Sequence, residues 1–436
     1  MIEIFYIIAQ ILFILAIAYF PIILFENNVY FNSLKFNLLD KLSINLIFFM
    51  NLLFLTSILN INTYNILYIY FLIIILFFIL NFKNFNFNKF KINYFLISLL
   101  IFIFLISIDV ADQIFFSWDT KTNWFFKALN FFQNQDIKNL KEFNNFDYPH
   151  LGSFIWSFFW QFPFESYEYL GRIFYVFLYV LSIFSISNCL KLEIYEKIIF
   201  SILLIFITYN YKLFSGLQDV VIFSVILLFS RFSFIIFQKS YKINNTLIIL
   251  IMLGVFNVLC WIKNEGIFYG LFLLISLAIT YSFSKRDKIL ILFGLITILS
   301  LRLFLFNYYN TELNPGYFEM KKTLEFDLIL IFYKLKTITF YSFIYVTQNP
   351  IYFLTIPLLI FIVFKYPIKN ITKFVLYFLF LNIVFIYFTY ALKMIEVELL
   401  IKASMSRVIF QTSGIYFLAI VIYVNNYAKF FNFVKK

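Results

Sequence analysis

A carboxylate that takes a proton from an incoming hydroxyl, set against cations that hold a phosphate, is the minimal equipment for transferring a group from an anionic lipid head. The chain carries both, in five short polar stretches set among apolar runs. The first is acidic and aromatic: Asp109, Asp112, Trp118, Asp119, Lys121, Trp124 and Lys127, directly after the apolar run 95–108. Ionised groups are costly at membrane depth, so carboxylates at that boundary are site candidates by default. The second is Asp147-Tyr148-Pro149-His150-Leu151, where Pro149 biases Tyr148 toward extended backbone. The third, Trp261-Ile262-Lys263-Asn264-Glu265-Gly266, is a polar knot between two apolar runs with almost no loop. Lys402, Ser404, Ser406 and Arg407 form the fourth, and Asp219, opening the run 219–237, is the fifth.

Each stretch also has a plainer reading. Asp112 reads best as the cap of a helix boundary, and Asp219 as an N-cap favoured by the helix dipole. Lys263 and Glu265 could be an ion pair that neutralises a tight hairpin. Arg407 could snorkel to headgroups, and a lone histidine such as His150 is more often a satisfied polar residue than a catalyst. Taken singly, none of these residues demands a functional role. Their expected gathering on one side of the membrane is what favours a shared role.

Other chemistries fall away on residue counts. The two cysteines, Cys189 and Cys260, lie in apolar runs without CxxC or zinc spacing. A single histidine leaves no multi-histidine metal site, so a general base falls to Asp or Glu. Asp109, Asp119 and Asp219 could lend oxygen ligands to a divalent ion. They form no DxD pair, however, and Lys263 already supplies positive charge, so the expectation is metal-independent chemistry without a cofactor.

The elements that position these residues are membrane helices. The chain of 436 residues is 63% hydrophobic and 24% aromatic, with mean hydropathy +0.92, which marks an all-α polytopic membrane protein. The surplus of Phe, Ile, Asn, Lys and Tyr looks like base-composition drift, so individual Phe residues carry little information. Apolar runs at 3–25, 42–59, 64–82, 95–109, 168–190, 197–211, 219–237, 246–262, 266–283, 288–306, 345–364, 372–392 and 408–425 predict about thirteen spanning helices. The first run lacks a basic flank and a small-residue cleavage site, so it reads as a retained helix. With the N-terminus outside and the C-terminus inside, the inner connections hold 19 of the 34 basic residues and five of the 22 acids, as the positive-inside rule asks. Orientation therefore accounts for the net charge of +12, and no basic patch is left over for nucleic acid. The expected organisation is a three-helix segment, 1–94, ahead of a core, 95–436, with outer loops at 110–167 and 307–344. Helically spaced Trp124, Phe125, Lys127, Ala128, Phe131 and Phe132 predict an amphipathic interfacial helix over 122–133. Asn314-Pro315-Gly316-Tyr317 predicts a turn, and the mixed stretch to Thr339 a second interfacial helix. The location expected is an inner (cytoplasmic) membrane with the site on its outer face.

Read in order, Trp118-Asp119, Trp124, Lys127-Ala128, Tyr148-Pro149-His150-Leu151, Gly216-Leu217-Gln218-Asp219, Lys263-Asn264-Glu265-Gly266 and Ser404-Met405-Ser406-Arg407 resemble signature stretches of the bacterial GT-C superfamily of membrane glycosyltransferases. These are relatives of the protein mannosyltransferases and the aminoarabinose lipid A transferases, and the resemblance covers about residues 95–425. It implies a GT-C-like core and a polyprenyl-phosphate-linked sugar as donor, with a glycan, lipid or protein as acceptor. Asp119 would be the acceptor-activating carboxylate. Lys263, Arg407 and Lys127 would face the donor phosphate, and Glu265, Asn264, Trp118, Trp124, Tyr148, His150 and Asp219 would contact substrate. Two departures are visible: three helices precede the one that should open the catalytic loop, and no large soluble domain follows the last helix. The rival from another class is a transporter or flippase of a lipid-linked sugar, which should place its charges near the midplane and show inverted repeats. A polysaccharide polymerase or ligase would want a longer basic outer loop than 307–344.

Overall fold

Without water to satisfy backbone groups, apolar stretches have helices as their ready solution. The computed structural model describes residues 2–25, 36–81, 93–113, 116–134, 136–142, 148–238, 246–309, 328–391 and 397–434, and holds no strand among them. Contacts divide the chain into two units. The first comprises Met1–Ser185, Leu192–Ile202 and Asn210–Val221; the second comprises Ile186–Lys191, Leu203–Tyr209 and Ile222–Lys436.

The first unit holds α1 (Ile2–Phe25), α2 (Leu38–Ile58), α3 (Thr63–Asn81), α4 (Tyr94–Asp112), α5 (Phe125–Phe132) and α6 (Leu151–Trp160). It also holds the larger part of α7 (Tyr169–Ser187), and the starts of α8 (Ile194–Thr208) and α9 (Asp219–Gln238). Local chemistry sets the helix starts. Asn37 and Asp40 form a reciprocal capping box on α2, each side chain accepting from the other's backbone N–H at 2.8 and 3.1 Å. Asn93 caps α4 by accepting from the N–H groups of Phe95 and Leu96. The centre of this unit is α6, ten residues long and buried at every position, with α2, α3 and α5 packed around it. Apolar attraction between helices vanishes in lipid, so polar cross-links and close packing carry the assembly. Gln10 of α1, fully buried, donates to the carbonyls of Phe159 and Leu170 at 2.8 and 3.1 Å. Bonds of this kind contribute about 0.6 kcal/mol on average in a membrane. Phe159 in turn stacks on Phe174 at 4.5 Å.

The second unit holds α10 (Thr246–Ile262), α11 (Glu265–Thr280), α12 (Lys285–Tyr308), α13 (Leu328–Gln348), α14 (Pro350–Lys365), α15 (Asn370–Ala391), α16 (Val397–Ser413) and α17 (Phe417–Val434). α10 and α11 form a tight hairpin; α12 packs on α10, α15 on α11, and α13 on α14, α15 and α16. Thr412 clasps two neighbours, pairing with the Tyr352 hydroxyl at 2.9 Å and accepting from Asn382 at 3.0 Å.

Among the described residues, eight helices are long and apolar enough to cross a membrane, or nine if the bent pair α13–α14 is one span, against the thirteen expected. The expected runs fall on helix, and for three of them length explains the difference. Three runs yield apolar helices of 17 residues or fewer: Ile194–Thr208, Thr246–Ile262 and Glu265–Thr280. Fifteen residues rise about 22 Å, short of about 30 Å of hydrocarbon. The run 345–364 is divided by a 96° bend, where Asn349 caps a new helix and Pro350 takes its first position. The faces of α12 that carry Ile289, Leu292, Phe293, Ile296, Leu303 and Phe304 are exposed, an apolar surface that lipid would cover. The chain is thus an all-helical, multi-pass membrane protein.

Candidate functional site

In the first unit, the acidic aromatic stretch begins a helix. The Ser117 hydroxyl pairs with that of Thr120 at 2.7 Å and accepts from its N–H, starting a turn that places Trp118 and Asp119 first. A π-turn, Thr120–Trp124, follows and runs straight into α5. Such turns inside helices are frequent at functional sites. Asp119 is half-buried there, while Trp118 projects outward, 73% exposed. The stretch Gly216–Asp219 closes on the same turn. Gly216 has φ +90°, which glycine adopts without strain. A Cβ at that position would sit 2.3 Å from the Thr120 methyl and 2.6 Å from the Trp156 ring. Two stretches distant in sequence therefore meet backbone to side chain, and Asp219 is buried at the start of α9.

Trp124, Lys127 and Tyr148 are also brought together. The Lys127 side chain is 0% exposed, and its ammonium donates to the Tyr148 carbonyl at 2.7 Å. The same ammonium lies 6.0 Å from the Trp124 ring centre, and Trp124 meets Tyr148 edge to face at 5.7 Å. His150 turns inward: its Nε2 is 2.8 Å from the Ser57 hydroxyl, between the rings of Phe54 and Phe131. That hydroxyl also lies 2.7 Å from the Phe54 carbonyl, and when it donates there it accepts from an Nε2 that carries the ring proton. Asp147 lies outside the described residues, as does the expected turn at Asn314–Tyr317. The expected amphipathic segment is helical, but Lys127, Ala128, Asn130 and Phe131 are buried, and α5 packs on α6.

In the second unit, the polar knot is the two-residue turn Lys263–Asn264 between α10 and α11. Its tightness has a steric origin. A Cβ on Gly266 would lie 2.0 Å from the Leu259 carbonyl oxygen, so only glycine lets the first turn of α11 come this close to α10. Lys263 is 4% exposed, while Asn264 and Glu265 are half-buried. Tyr390 of α15 gathers the rest. Its hydroxyl pairs with that of Ser404 at 2.9 Å, and both the Glu265 carboxylate and the Arg407 guanidinium lie within its electrostatic reach. The fourth polar stretch is thus bonded to this tyrosine, and the third lies within its electrostatic reach.

Sequence reasoning missed Arg302 of α12. It is 3% exposed, donates from Nη2 to Asn264 Oδ1 at 2.5 Å, and lies over the rings of Trp261 and Phe306 at 5.3 and 5.0 Å. The signal was available, since an arginine inside an apolar run rarely lacks a purpose. In the first unit Arg172 was missed in the same way. It holds Glu168 through two contacts at 3.0 and 3.1 Å and donates to the carbonyls of Phe214 and Gln113. Those four bonds satisfy it structurally.

Among the described residues no three His, Cys, Asp or Glu side chains group as metal ligands, so Asp109, Asp119 and Asp219 do not assemble as a trio. Asp109 accepts instead from Gln113 at 3.0 Å. Chemically, the first unit offers a half-buried carboxylate on a π-turn, and the second offers buried cations beside a carboxylate and hydroxyls. No protein-family model, no curated protein and no solved structure matches this chain.

Proposed function

We propose that the protein is an integral-membrane glycosyltransferase of GT-C type that moves a sugar from a polyprenyl-phosphate carrier to an acceptor on the outer face of an inner membrane. The observation that supports this reading most is the knot of the second unit. Lys263 and Glu265 sit at the turn of a hairpin of apolar helices, and Arg407 lies within electrostatic reach of the same Tyr390 as Glu265, which suits an anionic head whose tail stays in lipid. In this reading Lys263 and Arg407 bear the charge that develops on the leaving lipid phosphate, as preorganised cations do in transfer chemistry. Glu265 and Asn264 contact the sugar. Asp119 takes the proton of the acceptor hydroxyl, and displacement from the opposite face of the anomeric carbon predicts inversion, by the logic of paired-carboxylate glycosidases. Lys127, Tyr148 and Trp124 support the turn that carries Asp119.

The test is transfer of labelled sugar from synthetic polyprenyl-phosphate donors in proteoliposomes, wild type beside Asp119→Asn. Inverting transfer that the substitution abolishes in a folded protein supports the reading. Movement of donor across the bilayer without transfer replaces it with a flippase.

A further inference from the structure

Arg302 is an unusual buried cation. Its Nη2 is used by Asn264, and two aromatic rings cover its faces, yet the buried Nε and Nη1 donors meet no acceptor among the described residues. Leaving charged donors unanswered in a dry place is expensive, so natural proteins rarely do it without a ligand in view. A carboxylate stands nearby. Glu265 lies within electrostatic reach of Arg302, but no hydrogen bond or ion pair joins the two, and the buried Glu265 Oε2 also has no partner among the described residues. Asn264 Oδ1 accepts from one edge of the guanidinium, and the next residue, Glu265, begins α11. Two opposite charges that could have neutralised each other are instead held separate, one offering N–H donors and the other an acceptor.

We infer that Arg302 and Glu265 form a split binding site for a phosphate ester that carries hydroxyls on its other substituent, with Arg302 donating to the phosphate oxygens and Glu265 accepting from the hydroxyls. A guanidinium suits planar, two-pronged recognition of phosphate, and a carboxylate has acceptor capacity only, which fits hydroxyl donors. This deepens the reading above, and rests on it for naming the ester as a lipid-linked sugar phosphate. A bare lipid phosphate would engage Arg302 without Glu265.

The test is binding without turnover. The full chain in nanodiscs, with no acceptor present, is titrated with a polyprenyl-phosphate sugar, with the sugar-free polyprenyl monophosphate, and with inorganic phosphate as competitor. Arg302→Gln should weaken both lipids by roughly tenfold or more, the effect of losing charge-assisted hydrogen bonds, while Arg302→Lys recovers part of it. Glu265→Gln should weaken the sugar-bearing lipid and leave the monophosphate unchanged, and Lys373→Gln, on an exposed residue of α15, should change neither. Unchanged binding in Arg302→Gln overturns the proposal. An equal effect of Glu265→Gln on both lipids, or competition by inorganic phosphate as strong as that by the glycosylated lipid, overturns the hydroxyl-reading half. Should Arg302→Gln fail to fold, Arg302→Lys and Glu265→Gln carry the same decision. Loss of transfer in the proteoliposome assay with these binding differences intact would refute the enzyme and leave the site standing.

Discussion

Lys127 in the first unit and Arg302 in the second are both buried cations beside a tryptophan, yet they are spent differently. Lys127 is answered by the Tyr148 carbonyl at 2.7 Å and fastens residues 21 positions apart. Arg302 keeps two buried donors without an acceptor among the described residues. The lesson is that a charge's residue type and depth do not reveal its purpose; its remaining valence does. A cation whose every nitrogen has a partner holds the fold together, and one with buried nitrogens that have none awaits a ligand.

The contrast can be pressed at several points. The largest expected effect is on catalysis: Asp119→Asn should lower transfer by roughly 10²–10⁴-fold, the usual contribution of a general base, with the protein still folded in detergent. Near-normal turnover in that variant would remove Asp119 from the chemistry. Gly266→Ala comes next. The added methyl meets the Leu259 carbonyl, so the hairpin must open, at a cost of about 3 kcal/mol or more. Folded yield and melting temperature should both fall, and a Gly266→Ala variant as stable as wild type would show the knot to be looser than described. Lys127→Met should destabilise by about 1–3 kcal/mol, because the bond from the buried ammonium to the Tyr148 carbonyl is lost. Arg302→Met should change stability by less than about 1 kcal/mol or raise it, since a buried charge gives way to apolar volume and Asn264 is half-buried and open to other partners. Smallest of all, Trp118→Ala should stay within about 0.5 kcal/mol, because the ring projects outward.

Much of this architecture is legible in the sequence, for a physical reason. Long apolar runs have to be helical, and capping residues such as Asn37, Asn93, Ser284 and Asn349 mark starts by local chemistry alone. The knot at Lys263–Gly266 is also readable, because a hairpin of two apolar helices leaves polar residues only at its turn. What stays hidden is tertiary. Leu151–Trp160 is a ten-residue apolar stretch that looks like part of a loop, and it becomes the buried centre of the first unit only because α2, α3 and α5 pack around it. Likewise, nothing local distinguishes Lys127 from Arg302. Which carbonyl or carboxamide reaches each cation depends on residues far along the chain, Tyr148 for one and Asn264 for the other.

That difference is also the most direct point of attack. Thermal unfolding of the purified full chain, with no phosphate lipid added, should be compared for wild type, Lys127→Met and Arg302→Met in the same detergent. A clear drop for Lys127→Met beside an unchanged or higher melting temperature for Arg302→Met is the expected result. The reverse order, with Arg302→Met the more damaged protein, would show that Arg302 serves the fold and would contradict the assignment of the second unit's reserve charge to a ligand.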